Sequence, residues 1–237
     1  MDTTALITEL AAAMPLTLAI MFAAMACGFL LALVTTSLRV RRIIGISHLA
    51  DLYVSYARSV PVVLQLFVAF YGLPVLVGMF GVQDFLSSNL AAMVGLSLYH
   101  GGYLSEVMRP AYLAVERGQH DAADSLGYGF GHKMLRVVGP QAVRIALPGY
   151  GNSLMYLIHN VALVMYIGAA DVMATAHLVM ARDYNQYQFE TYIVLAVLYS
   201  FMCLVAWLVI RYFEQRASRH RPAETGKPLV LNTAASI

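Results

Sequence analysis

Charge is scarce in this sequence: Asp, Glu, Lys and Arg together make up 12% of its 237 residues, whereas 60% are hydrophobic. That balance excludes an ordinary water-soluble domain of this size and points to lipid as the main solvent. Cysteine is scarcer still. Cys27 and Cys203 stand in separate apolar stretches without metal-ligand spacing, so they say nothing of redox compartment, and packing is the role expected of them. A nucleotide site is missing as well: Gly226-Lys227 lacks both the earlier glycine and the following Ser or Thr of a P-loop, and Gly127, Gly129 and Gly131 follow no predicted strand and have no acidic partner downstream. Any ATP this protein uses must be bound by a partner. An intramembrane enzyme built on Ser153, His159 and His100 would need a His-x-x-x-His pair, a Gly-x-Ser-x-Gly elbow or a helical Cys-x-x-Cys, and none is present. No catalytic residue, metal ligand, cofactor or nucleic-acid partner is expected.

What the chain does have is five windows free of Asp, Glu, Lys and Arg: Ala11 to Leu38, Ser59 to Gln83, Phe85 to Ser105, Ile145 to Ala170 and Thr191 to Ile210. Roughly 20 apolar residues carry a helix across the hydrocarbon, and a central charge is costly there. The windows lack the alternation of barrel strands and are too long for them, so the expected fold is an all-α membrane protein. We place the spans at about 11–38, 59–83, 85–105, 149–170 and 191–210 within a transmembrane domain of 11–212, followed by a tail of 213–237.

Lys and Arg in short loops stay on the cytoplasmic side. With five spans and the N-terminus outside, fourteen of the fifteen basic residues fall inside: Arg39, Arg41, Arg42 and Arg58 in the first inner loop, Arg109, Arg117, Lys133, Arg136 and Arg144 in the second, and Arg211, Arg216, Arg219, Arg221 and Lys227 in the tail. Arg182 alone is left outside, and the C-terminus is cytoplasmic. Met1 to Leu10 carries Asp2 and Glu9, has no basic residue and runs into a window of spanning length, so no cleaved signal peptide is expected.

The outer connections are short except for Asp171 to Glu190, and the inner face carries one long insertion, Glu106 to Arg144, between the third and fourth spans. It reads as short helices with their punctuation in place. Pro110 suits the first turn of one helix, continued by Ala111 to Glu116 and broken at Gly118. A second runs from about Gln119 to Leu126, with Asp121 in its first turn and Gly127 placed to cap its C-terminus. A third, His132 to Val138, stops at Gly139-Pro140. On the second helix Ala122, Ala123 and Leu126 make a small apolar strip that suits packing on the protein's own bundle or close approach by another surface.

Polar groups inside a span are candidates for lining a pathway. In the fourth window Asn152, Tyr156, His159, Asn160 and Tyr166 fall within less than half the helix circumference, with Ser153 near the edge. Interhelical hydrogen bonding is the competing role for each of them. His100, beside Gly101-Gly102 in the third span, is a further candidate for facing the pathway, against packing as the alternative.

The cytoplasmic insertion carries a recognisable pattern. Asp121-Ala122-Ala123, Gly127 and Val137-Val138-Gly139-Pro140 stand where the permease subunits of ATP-binding-cassette importers have Glu-Ala-Ala, three residues, Gly, nine residues and Ile-x-Leu-Pro. Gly118-Gln119 precedes the motif and Pro140-Gln141-Ala142-Val143-Arg144-Ile145-Ala146-Leu147-Pro148 follows it. Arg58, Pro61 and Gln65, then Tyr71-Gly72-Leu73-Pro74, then Tyr103, Glu106 and Arg109 fit in order. From the first span to about Arg211 the chain resembles the polar amino-acid branch of that family. The departures are Asp121 for Glu, Gly139 for Leu, and Ser59-Val60 for Gly-Thr.

The resemblance implies a transport subunit rather than an enzyme, in a bacterial cytoplasmic membrane, working with two ATPase subunits, a second permease subunit and an external solute-binding protein. It implies that Gly118, Gln119, Asp121, Ala122, Ala123, Leu126 and Gly127 form the helix that docks on the ATPase. Ile158-His159-Asn160-Val161-Ala162-Leu163 stands where many members have Leu-Lys-Asp-Thr-Ser-Leu, and histidine and basic amino-acid permeases have Leu-His-x-Thr-Ala-Leu. The expected pathway residues are thus Asn152, Tyr156, His159, Asn160 and His100, with no carboxylate among them to pair a basic substrate. The alternatives are a stand-alone secondary transporter or channel, and a permease for another small polar solute such as an opine. No pair of broken spans suggests an inverted repeat, and the ordered inner loop has no use in a stand-alone transporter.

Overall fold

The computed structural model describes residues 3–43, 45–80 and 87–218, and among these the chain is helical throughout, with no strand. Its helices are α1 (Thr3–Arg41), α2 (Ile46–Ser59), α3 (Val62–Gly78), α4 (Ser88–Leu113), α5 (Arg117–Ser125), α6 (Phe130–Lys133), α7 (Gly139–Val161), α8 (Val172–Arg182) and α9 (Gln188–Ser218). A π turn, Met134–Val138, joins α6 to α7, and a 3-10 turn, Ala162–Ile167, extends α7. The five charge-free windows fall on α1, α3, α4, α7 with its extension, and α9; Gln83 and Phe85, at window ends, lie outside the described residues, as does most of the tail. α1 and α9 are each long and apolar enough to cross a membrane by length and composition, while α2 with α3, and the α6–α7 rod with α8, reach that mark as pairs bent by 117° and 51°.

α4 is the hub. It buries Gly95, Leu96, His100, Gly101, Gly102 and Leu104 against α1, α2, α3 and α7. Between helices in lipid, close packing replaces the hydrophobic effect, and small residues permit it. A Cβ on Gly102 would run into the Cβ of Ala57, and one on Gly101 would lie 2.9 Å from the Tyr53 hydroxyl and 3.1 Å from the Gly28 carbonyl. The Tyr53 hydroxyl donates to the Leu98 carbonyl at 2.6 Å, fixing α2 on α4. The main core gathers Ile20 and Ala24 of α1, Leu66 of α3, Leu96 of α4, and Leu157 and Ile158 of α7. A second cluster unites Leu6 and Leu10 of α1, Val172 and Ala176 of α8, and Leu195 of α9.

Several expectations are corrected. Residues 46–59, read as part of an inner loop and the start of a span, form α2, whose buried Ala50, Val54 and Ala57 follow helical spacing. The second window is therefore not one straight helix. Pro61 holds Val60 extended (φ −92°, ψ 130°), and the buried Gln65 side chain donates to the Ala57 and Val60 carbonyls at 2.9 and 2.7 Å, closing the end of α2. Asp171 to Glu190, read as an outer connection, holds α8. Asp171 caps it by accepting from Ala174 N–H at 2.9 Å, and Thr17 of α1 accepts from Val172 N–H at 2.9 Å.

In the insertion of residues 106–144, Pro110 lies in the last turn of α4 instead of opening a helix. Gly139-Pro140 does not stop a helix: Pro140 falls in the first turn of α7, where its missing N–H costs little, and the chain passes from α6 through the π turn into α7. Cys27, expected to pack, is exposed. α1 is apolar all round, so its sequence does not encode which side meets the bundle.

Candidate functional site

The helix read as the docking element is α5, two residues longer at its start than the sequence pattern suggests. Its end is a complete Schellman motif: Gly127 N–H reaches the Asp124 carbonyl at 2.9 Å, Tyr128 N–H reaches the Ala123 carbonyl at 3.1 Å, and Gly127 takes φ +72°. The apolar strip divides. Ala123 is buried against its own chain, while Ala122 and Leu126 are exposed, Leu126 at 71%. Gly118, Gln119, Asp121 and Gly127 are also exposed. α5 thus offers an open face, backed by a small residue on which it sits.

Side chains fasten this helix to the rest of the molecule. Lys133 Nζ lies 2.6 Å from Asp124 Oδ1, Gln141 Nε2 donates to Gln119 Oε1 at 3.2 Å, and the rings of Tyr112 and His120 meet edge to face at 5.2 Å. The guanidinium of Arg41, at the end of α1, lies 3.8 Å above the Phe130 ring. Of these, the sequence pattern names only Gln119 and Gln141; the others join separate elements and leave no local signal.

At the same end of the bundle Glu106 binds two arginines, Arg39 of α1 at 2.7 Å and Arg58 of α2 at 2.8 Å. Arg39, its side chain 9% exposed, also reaches Asp51 at 2.6 Å and Ser105 Oγ at 3.3 Å, and Ser105 accepts from Thr36 at 3.1 Å. The Arg58 and Glu106 of the sequence pattern are therefore partners in one network that joins α1, α2 and α4.

The polar arc of α7 divides by face. Asn152, Tyr156 and His159 are exposed, Asn160 is half-buried, and Tyr166 of the 3-10 turn is exposed, so these side chains look outward from the subunit. Ser153 turns the other way, its Oγ 3.3 Å from His100 Nδ1. His100 is wholly buried within the subunit and lies off the outward arc. α4 contributes a residue that spacing alone does not assign: the buried Tyr99 packs on Tyr103 with ring centroids 4.6 Å apart. His159 Nε2 lies 3.6 Å from Cys203 Sγ of α9. Among the described residues no three His, Cys, Asp or Glu side chains gather as metal ligands. Chemically the arc presents amide, imidazole and phenol groups and no carboxylate, a hydrogen-bonding surface that itself carries no fixed negative charge.

A helical bundle with apolar helices of membrane-spanning length and a tethered, exposed helix between α4 and α7 is the fold of a transport permease. Residues 24–219 match the family model of the binding-protein-dependent transport system inner membrane component, and the chain belongs to that family. It is 32% identical over 207 residues to the probable amino-acid permease protein YxeN of Bacillus subtilis (strain 168), covering 87% of this chain and 90% of that one. It is also 32% identical over 201 residues to the arginine transport system permease protein ArtQ of the same organism, covering 85% and 89%. Among solved structures, a crystal structure of an amino acid ATP-binding-cassette transporter with histidines superposes with a TM-score of 0.76 at 29% identity, covering 91% of this chain and 99% of the other. The relatives are amino-acid permeases of ATP-binding-cassette transporters, and the chain has their fold.

Proposed function

We propose that this chain is one permease subunit of an ATP-driven importer of polar amino acids in the bacterial cytoplasmic membrane. It crosses the membrane five times with its N-terminus outside, pairs with a second permease subunit, rests on two ATPases and receives its solute from an external binding protein. The observation that carries this reading is the exposed α5, closed at Gly127 and held by Lys133–Asp124 and Gln141–Gln119 at the foot of the rod whose upper part bears the polar arc. A helix with an open face and a surface bearing polar groups are thereby linked, the first tied by side chains to the foot of the rod that carries the second.

Mechanism follows from that linkage. Closure of the ATPases on ATP moves α5 and tilts the α6–α7 rod, opening the arc of Asn152, Tyr156, His159 and Asn160 to the loaded binding protein; hydrolysis returns it inward. The arc meets solute across the interface with the second permease, since these side chains point away from the subunit's own core. Amide, imidazole and phenol groups suit the α-amino and α-carboxylate groups of a zwitterion and a polar side chain.

The test is uptake by vesicles containing this subunit with its ATPase, second permease and binding protein, against a panel of labelled polar amino acids. ATP-dependent uptake that needs every partner is expected. A fully assembled, hydrolysing complex that moves none of them would remove the amino-acid assignment, and failure to associate with any ATPase would remove the importer assignment.

A further inference from the structure

Between the docking helix and the polar arc the rod has one irregular turn, the π turn Met134–Val138. Pro140 supplies a cause. In an unbroken α-helix its missing N–H would leave the Arg136 carbonyl unpaired and its ring would press on that carbonyl. The extra residue of a π turn separates them. Gly139 supplies the permission. Its N–H reaches the Met134 carbonyl across the turn, and a Cβ at this position would run into that same oxygen. A side chain at 139 and the observed turn exclude each other.

Gln141 connects this turn to the docking helix. Its Nε2 donates to the Val137 carbonyl inside the π turn at 2.9 Å and to Gln119 Oε1 on α5 at 3.2 Å. One amide therefore touches both the irregular turn and the element that the ATPase would move. Collapse of the turn to regular α-helix would remove one residue from the winding, rotating all that precedes it by about 100° and shifting it by about 1.5 Å along the axis. Such a change would carry Lys133 away from Asp124 and Phe130 away from Arg41, both of which depend on the present register.

We propose that Gly139 and Gln141 are positioning residues for energy coupling: the glycine-permitted π turn, tied by Gln141 to α5, sets the angle at which movement of the docking helix reaches the polar arc on α7. This rests on the importer reading above. The joint lies outside the docking helix itself, so its loss would leave the ATPase docked and hydrolysing while the gate moves out of step.

The experiment compares wild type, Gly139→Ala and Gln141→Leu in the complete importer in proteoliposomes, measuring hydrolysis and uptake in the same vesicles. The expected result is intact assembly, an unchanged substrate KM, and ATP consumed per solute imported raised by about fivefold or more in each variant. Hydrogen exchange of the permease alone in nanodiscs supplies a second measurement: the amides of residues 134–138 should change their exchange rate by about tenfold or more in Gly139→Ala. A ratio within about twofold of wild type in both variants, or an unaltered exchange pattern, overturns the proposal. A wild-type complex that assembles and hydrolyses but imports nothing counts against the importer reading, and the exchange comparison then decides the joint by itself.

Discussion

Arg39 of α1 and Glu106 of α4 meet at 2.7 Å, with the arginine side chain 9% exposed and the carboxylate 29% exposed. Because Glu106 also holds Arg58 at 2.8 Å, one carboxylate fastens two helices to the hub. Replacing it by an amide leaves a nearly buried guanidinium with only Asp51 as an acidic partner. Glu106→Gln should cost about 2 kcal/mol of stability, read as a lower Tm of the purified subunit, and Arg58→Ala should cost less because Arg58 is half exposed. An unchanged Tm for Glu106→Gln would show that the network contributes nothing net.

Gln65 closes α2 from the first full turn of α3. Gln65→Leu keeps the shape and removes both donors to the Ala57 and Val60 carbonyls. A loss of about 1–2 kcal/mol is expected, with faster amide exchange confined to the end of α2. Gln65→Glu should be worse, since a carboxylate would face two carbonyl oxygens.

The split of the α5 strip separates folding from docking. Leu126 is 71% exposed and Ala123 is 1% exposed. Leu126→Arg should therefore leave the Tm unchanged while abolishing copurification with the ATPase, whereas Ala123→Leu should lower the Tm through overpacking by about 1–3 kcal/mol. Gly127→Arg places a side chain at φ +72°, strains the cap by about 1 kcal/mol, and should abolish coupled uptake with the subunit still inserted. Copurification that survives Leu126→Arg would remove α5 as the docking element.

On α7, residues on opposite faces should behave differently. Asn160→Ala and His159→Ala, on the outward side, should raise the KM of uptake by about three- to tenfold, the worth of one hydrogen bond. Ser153→Ala, which removes the partner 3.3 Å from buried His100, should leave KM unchanged and cost about 1–2 kcal/mol of stability. A KM effect at Ser153 equal to that at Asn160 would refute the division of faces.

Parts of this site are legible in the amino-acid pattern. The Gly127 cap can be read because a C-terminal glycine after a helical pattern is a local signal, and both Schellman bonds are present. The arc at Asn152, Tyr156 and His159 can be read because three- and four-residue spacing puts side chains on one face. His100 and Tyr99 cannot be assigned that way. Each sits in a helix packed on several sides, where spacing does not distinguish inward from outward, and it is contact with Ser153 for His100 and with Tyr103 for Tyr99 that assigns them.

The sequence by itself determined the solvent, the helical class, the apolar windows, and the motif on the insertion of residues 106–144, because these depend on local composition and on the cost of charge in lipid. The tertiary structure decided the rest: that residues 46–59 form a helix set at 117° to its successor, that residues 171–190 hold α8, that Cys27 is exposed while His100 is wholly buried, and that Gly139-Pro140 continues a rod through a π turn instead of ending it. The physical reason is common to all of these. In a chain apolar on nearly every side, burial no longer follows from hydrophobicity, and the choice of face falls to close packing at glycine and alanine, and to polar side chains that find partners far away in sequence.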